Sequence, residues 1–152
     1  MDWAEEKRLI VHTDASFDLE YKKGLVAFVI ETKDSRTIKK KSKCMECKSS
    51  QEAEYIAIGE ACKWLNFYQK TNIIRNRITI NIFNDNKTLL QSINNLDAMR
   101  YPNVRTELIK KYNEEIRILR DNNNVYIKWK SRNGNKVADA LTRPRNLFAM
   151  IW

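Results

Sequence analysis

Three strand-like runs precede the first helical pattern of this chain, and that order restricts it to folds built on an antiparallel meander. The runs "RLIVHTDAS" (Arg8 to Ser16) and "GLVAFVIET" (Gly24 to Thr32) are rich in β-branched and apolar residues. Only the polar turn "FDLEYKK" separates them, so they read as an antiparallel pair. A third run, "TIKKKSKCMECK" (Thr37 to Lys48), follows the turn signal "KDSR". Its Lys39, Lys40, Lys41 and Lys43 suit an edge strand protected by charge.

Beyond the meander the period changes. "SSQEAEYIAIGEACKWLNFYQ" sets Ala53, Ile56, Ala57, Ala61 and Leu65 at helical spacing, with Ser49 or Ser50 as N-cap. "RITINIFND" alternates Ile78, Ile80 and Ile82 with polar or aromatic residues and reads as a strand over Arg77 to Asp85, followed by a short helix over Lys87 to Asn94. After Pro102, Val104, Leu108, Tyr112, Glu115 and Leu119 form the stripe of a surface helix that the run Asn122 to Asn124 ends. "VYIKWK" (Val125 to Lys130) is a fifth strand, "SRNGN" a loop and "KVADALTR" a closing helix stopped by Pro144. The order βββαβααβα predicts an α/β fold. Its five-stranded mixed sheet has a three-stranded antiparallel meander and two strands parallel to the first, with helices on its flanks.

A length of 152 residues fits one domain over 1–152, with a core over about 8–143 and an apolar tail over 144–152 that ends in "NLFAMIW". The apolar stretches are strand length and "MDWAEEKR" has no hydrophobic signal region, so an intracellular, cytoplasmic chain without a membrane partner is expected. Lys and Arg outnumber Asp and Glu by 28 to 19, and a net charge of +9 favours a polyanionic partner. Cys44, Cys47 and Cys62 are an odd number, which argues against a disulfide framework. A zinc site needs four close ligands, and "CMEC" finds only Cys62 and His12 besides, both in apolar segments, so structural roles are expected for these residues.

Four carboxylates stand in four separate motifs: Asp14 in "HTDAS", Glu54 in "SSQEAEYIA", Asp85 in "IFNDNKTL" and Asp139 in "NKVADALTR". Each lies in or beside an apolar segment that belongs in the core, so folding can gather them. Clustered carboxylates repel unless divalent metal neutralises them, and two bound ions activate water and stabilise the leaving oxygen of a phosphodiester. The pattern points to Mg²⁺-dependent phosphodiester hydrolysis.

These motifs resemble the ribonuclease H family from about Leu9 to Arg143. "TDAS" is similar to the family's first-strand aspartate followed by Gly or Ala and Ser, "AEYIAI" to its "AEL-A", "NDN" to its "SDS" or "TDN", and "WKSRNGNKVADALTR" to its "W-x-x-R-x-x-N-x-x-A-D-x-L-A". "SSQEAEYIA" and "ADALTRP" also resemble ribonuclease H domains of copia-type retroelements. The resemblance implies a metal-dependent endonuclease that cleaves the RNA strand of RNA-DNA hybrids, leaving a 5′-phosphate and a 3′-hydroxyl. It implies two Mg²⁺ ions, with Mn²⁺ as a substitute, held by Asp14, Glu54, Asp85 and Asp139. Asp14 would bridge both ions, Glu54 and Asp85 would hold the water-activating one, and Asp139 the leaving-group one. Substrate contacts are expected from Ser16, Ser49, Ser50, Gln51 and Asn86 beside the acids, and from Arg132, Asn133 and Asn135 in the loop before the last motif. No small-molecule cofactor is implied, and a monomer is the expected state.

Three departures from the family pattern stand out. Arg132, Asn133 and Asn135 occupy the loop where many members carry a histidine, the first hairpin has only Gly24, and Ile93 to Pro102 is too short for the extra basic helix of many bacterial relatives. A catalytically idle hybrid-binding or RNA-binding module of the same fold, or the ribonuclease H domain of a retroelement polyprotein, are the alternatives. A 3′–5′ exonuclease would need Asp-x-Glu where Asp14 is followed by Ala15 and Ser16, and an integrase core would close with Glu rather than Asp139.

Overall fold

A computed structural model describes residues 7–71, 77–94 and 103–131. The meander is β1 (Arg8–Asp18), β2 (Lys23–Thr32) and β3 (Thr37–Glu46), followed by α1 (Ser50–Thr71), β4 (Thr79–Asn84), α2 (Lys87–Asn94), α3 (Thr106–Asn122) and β5 (Asn124–Trp129). They form one five-stranded sheet of order β3-β2-β1-β4-β5. β2 is antiparallel to β1 and β3 to β2, whereas β4 runs parallel to β1 and β5 parallel to β4. This is the mixed sheet expected from the order of the runs. β1 becomes central because a short turn suffices for β2 on one side, while the helical crossover through α1 delivers β4 to the other. The closing helix expected over "KVADALTR" and the apolar tail lie outside the described residues.

Strand ends differ from the sequence expectation for local reasons. β1 continues past Ser16 because Phe17 and Asp18 still pair with Gly24 and Lys23. β3 stops at Glu46 rather than Lys48, since Cys47 N–H donates to Lys22 carbonyl oxygen at 3.0 Å and the chain turns into the cap of α1. β4 begins two residues after Arg77, whose guanidinium instead donates to the carbonyl oxygens of Arg120, Asp121 and Asn123. Those are the carbonyls that an α3 C-terminus leaves without helical partners, and a cation there also suits the helix dipole.

The core lies between the sheet and α1. Leu9, Val11, Val26, Phe28, Ile30, Ile80 and Ile82 from the strands meet Ile56, Ala57, Ala61 and Leu65 from α1. Burying each large aliphatic chain contributes about 2 kcal/mol. α3 packs on α1 through Ile109, Tyr112, Ile116 and Leu119. The expected stripe through Leu108 and Glu115 is therefore turned by one position, which buries Ile116 and spares the Glu115 carboxylate full desolvation. Gly59 permits this approach, since a β-carbon there would overlap the Tyr112 ring.

One clasp fixes the starts of α1 and α3 together. Ser49 Oγ accepts the Glu52 N–H at 3.0 Å and donates to Asn103 carbonyl oxygen at 2.6 Å, so Ser49 is the N-cap. Glu52, with no exposed surface, accepts from Lys48 N at 3.0 Å, from Arg105 N at 2.9 Å and from Arg105 Nη2 at 2.8 Å. Burial by itself raises the Glu52 carboxyl, but these donors outweigh it and hold the group below its ordinary value.

Candidate active site

Three of the four expected acids meet just beyond the point where the parallel pairing of β1 with β4 ends, at His12 and Phe83. Asp14 comes from β1, Glu54 from the second turn of α1 and Asp85 from the residue after β4, and one ligand oxygen of each lies within 4.8 Å of the others. Asp14 is 2% exposed and Glu54 6% exposed, while Asp85 is half-buried. Among the described residues this is the one group of three or more His, Cys, Asp or Glu side chains close enough to share a metal ion. Asp139, Arg132, Asn133 and Asn135 lie outside the described residues.

A buried asparagine absent from the sequence expectation ties the cluster together. Asn84, with no exposed surface, donates through Nδ2 to Thr13 Oγ1 at 3.0 Å, and its Oδ1 accepts the Asn86 N–H at 2.8 Å. Thr13 Oγ1 in turn donates to Phe83 carbonyl oxygen at 2.9 Å. These bonds lock β1 to β4 beside Asp14 and shape the turn that carries Asp85. Trp129 Nε1 donates to the Asp85 carbonyl oxygen at 3.2 Å, and Lys87 Nζ lies 5.0 Å from the Trp129 ring centroid, so β5 braces the same turn. The available signal for Asn84 was its place in the alternation: it shares the core-facing parity of Ile80 and Ile82, where a polar residue must have partners.

Burial, then the charges of Asp14 and Asp85, push the Glu54 carboxyl well above the ordinary carboxylate range; hydrogen bonds from the Asn84 side chain and the Ala15 backbone oppose the shift. Glu54 Oε2 is buried and has no hydrogen-bond partner among the described residues. Oxygen-only donors, repulsion between close carboxylates and an unsatisfied buried oxygen together fit a hard divalent cation. The cluster is a possible acidic metal site.

The polar residues expected to touch substrate divide by their present work. Ser49 caps α1, and Asn86 Oδ1 accepts the Leu89 N–H at 3.0 Å to cap α2. Asn86 Nδ2 also donates to Gln51 Oε1 at 3.0 Å, bridging α2 and α1 beside the acids. Ser50 is exposed at the start of α1, and Ser16 Oγ is buried with no hydrogen-bond partner among the described residues. His12 takes the packed role expected of it, stacked on Phe83 with ring centroids 5.9 Å apart and its Nε2 3.0 Å from Glu31 Oε1. Cys44, Cys47 and Cys62 are unpaired thiols, and burial raises Cys47 to about 11 and Cys62 to about 12.

The sequence pattern of the RNase H family matches residues 6–146. This chain belongs to the RNase H family. Among solved structures, LC11-RNase H1, isolated from compost by a metagenomic approach, is similar over 96% of this chain and 99% of its own, with TM-score 0.77 and 16% identity. RNase H1 of the halophilic archaeon Halobacterium salinarum NRC-1 is similar over 93% of this chain and 98% of its own, with TM-score 0.68 and 15% identity. The protease-reverse transcriptase of prototype foamy virus matches 97% of this chain with 22% of its own, at TM-score 0.64 and 16% identity. At these identities the likeness is one of RNase H fold, and the foamy virus match fits the resemblance to retroelement RNase H domains. No curated protein matches the sequence. No helix among the described residues is long and apolar enough to cross a membrane.

Proposed function

We propose that this RNase H family member is an endonuclease that hydrolyses the RNA strand of RNA-DNA hybrids. The observation that carries the reading is the convergence of Asp14, Glu54 and Asp85 within 4.8 Å on three elements distant in sequence. Support for hybrid as substrate comes from LC11-RNase H1, which has been solved in complex with RNA/DNA hybrid and is similar to this chain at TM-score 0.69 and 15% identity. Asp14, Glu54 and Asp85 hold Mg²⁺, and Asp139 completes the ligand set. When bound, two such ions supply an activated water and charge stabilisation at the leaving oxygen. The chain's own contribution is rigidity: Asn84 orients Glu54, and Trp129 holds the Asp85 turn. Ser50, exposed at the start of α1, with Gln51 and Asn86, which are bonded to each other between α1 and α2, select 2′-hydroxyls on one strand, while Arg132 contacts a phosphate near the scissile bond. A polyprotein setting for the same activity is favoured by the foamy virus match, in which the region similar to this chain is 22% of a longer chain.

The test offers end-labelled RNA-DNA hybrid, duplex RNA, duplex DNA and single-stranded RNA to the protein in Mg²⁺, Mn²⁺ or EDTA. Cleavage confined to the RNA strand of the hybrid, and only with metal, is the expected result. Equal cleavage of duplex RNA, or none of any substrate, would overturn it.

A further inference from the structure

Away from the acids, the outer face of α1 carries an open aromatic ring between two lysines, and the neighbouring sheet edge carries further cations. Phe67 is 65% exposed, with Lys63 and Lys70 about one turn away on either side. All three line a groove of about 650 Å³ whose opposite wall is α3, through Glu115 and Ile118. On the other flank of α1, Lys39, Lys41 and Lys43 occupy alternate positions of β3 and so share one face. That face is the helix side, since Lys39 Nζ lies 5.8 Å from the Trp64 ring centroid and Lys43 Nζ 3.9 Å from Glu60 Oε1. Glu60 is also held by the Tyr112 hydroxyl at 3.2 Å, which leaves Glu115 as the acid facing the groove.

Each feature alone has an ordinary role. Lysines protect sheet edges from pairing, and single exposed apolar residues are common on surfaces. Edge protection, however, accounts for neither the cations on α1 nor the groove beside Phe67. Cations that follow a backbone, combined with a ring on which an unpaired base stacks, are the chemistry of single-strand binding. A duplex hides the faces of its bases, and an acidic peptide brings charge without rings.

We infer that Lys41, Lys43, Lys63, Phe67 and Lys70 bind a single-stranded stretch of nucleic acid continuous with the duplex at the acid cluster. Phe67 follows Glu54 by 13 residues on the same helix, and at about 1.5 Å per residue it lies about 20 Å from the cluster. The inference rests on the proposed function only for the duplex half of the ligand.

Fluorescence anisotropy in EDTA, with the whole chain, compares a short blunt hybrid, the same hybrid with a single-stranded extension on either strand, and the extension alone. The extension tightens binding by about tenfold, the scale of stacking and phosphate contacts at such a surface. Phe67→Ala/Lys70→Gln and, on a different element, Lys41→Gln/Lys43→Gln lose that gain while keeping blunt-hybrid affinity and melting temperature. Two variants on separate elements keep the result independent of a folding defect in either. An extension that adds nothing, variants that retain the gain, or displacement of the extended hybrid by polyglutamate but not by free single strand would each overturn the inference. If no hybrid is cleaved in Mg²⁺ while free single strand still binds and both variants weaken it, the proposed function falls and this surface stands.

Discussion

The Glu54 carboxyl is buried beside the charges of Asp14 and Asp85, and hydrogen bonds from the Asn84 side chain and the Ala15 backbone do not offset that cost. For an acid whose folded value is raised, the unfolded chain releases its proton first. Stability of the metal-free protein therefore falls as pH rises from the ordinary carboxylate value toward the raised one. Glu54→Gln is expected to raise the melting temperature of metal-free protein at neutral pH and to flatten this fall, as scanning calorimetry in EDTA would read; a lower melting temperature would contradict the electrostatic account. Asn84 carries a different load. Its removal takes the acceptor from the Asn86 N–H and the Nδ2 donor from Thr13 Oγ1, so Asn84→Ala should cost about 2 kcal/mol in urea unfolding and weaken Mg²⁺ binding measured by calorimetry. That Asp14, Glu54 and Asp85 come together was legible in the sequence, because each stands in or beside an apolar segment that had to enter the core. Asn84 was not, because an asparagine in a strand declares its partners only once β1 lies beside it.

The starts of α1 and α3 are tied to each other by the Glu52–Arg105 pair, in addition to the packing of α1 on the sheet. Arg105→Ala leaves the fully buried Glu52 carboxylate with backbone donors alone, and loss of one partner from a buried pair costs about 3 kcal/mol. Glu52 is held below its ordinary value, so its contribution is complete above that value and is lost as pH falls through the lowered one. Glu52→Gln should therefore be least stable relative to the parent at neutral pH, with the gap closing in acid; a constant gap across the titration would argue against the ion pair. Gly59→Ala is expected to destabilise by about 2 kcal/mol despite the better helix propensity of alanine, because Tyr112 occupies the space of the new methyl. An unchanged urea midpoint would contradict that packing. The one-position turn of the α3 stripe shows where periodicity runs short: "ELIKKYNEEIRIL" places apolar residues on two adjacent stripes, and only contact with α1 decides between Leu108 and Ile109. The clasp was equally hidden, since Glu52 and Arg105 are 53 residues apart.

Strand order across the whole sheet was legible because a short turn and a helical crossover admit few solutions, and β1 had to lie between β2 and β4. Strand ends were less so, since side-chain caps such as Arg77 and turn bonds such as Cys47 to Lys22 determine them. With a net charge of +9 the molecule should bind hybrid through counterion release, and affinity in EDTA should fall about 10³-fold between about 50 and about 200 mM salt. A flat salt response would remove nucleic acid as the partner. Within this cationic protein three carboxylates are held within 4.8 Å of one another. Their purpose is tested most directly by titrating Mg²⁺ against the rate of RNA-strand cleavage in a labelled hybrid, with the parent chain and with Asp85→Asn. The parent should be inactive in EDTA and gain activity with added Mg²⁺, while Asp85→Asn stays inactive throughout; cleavage by the parent in EDTA, or a parent-like response from Asp85→Asn, would contradict the account.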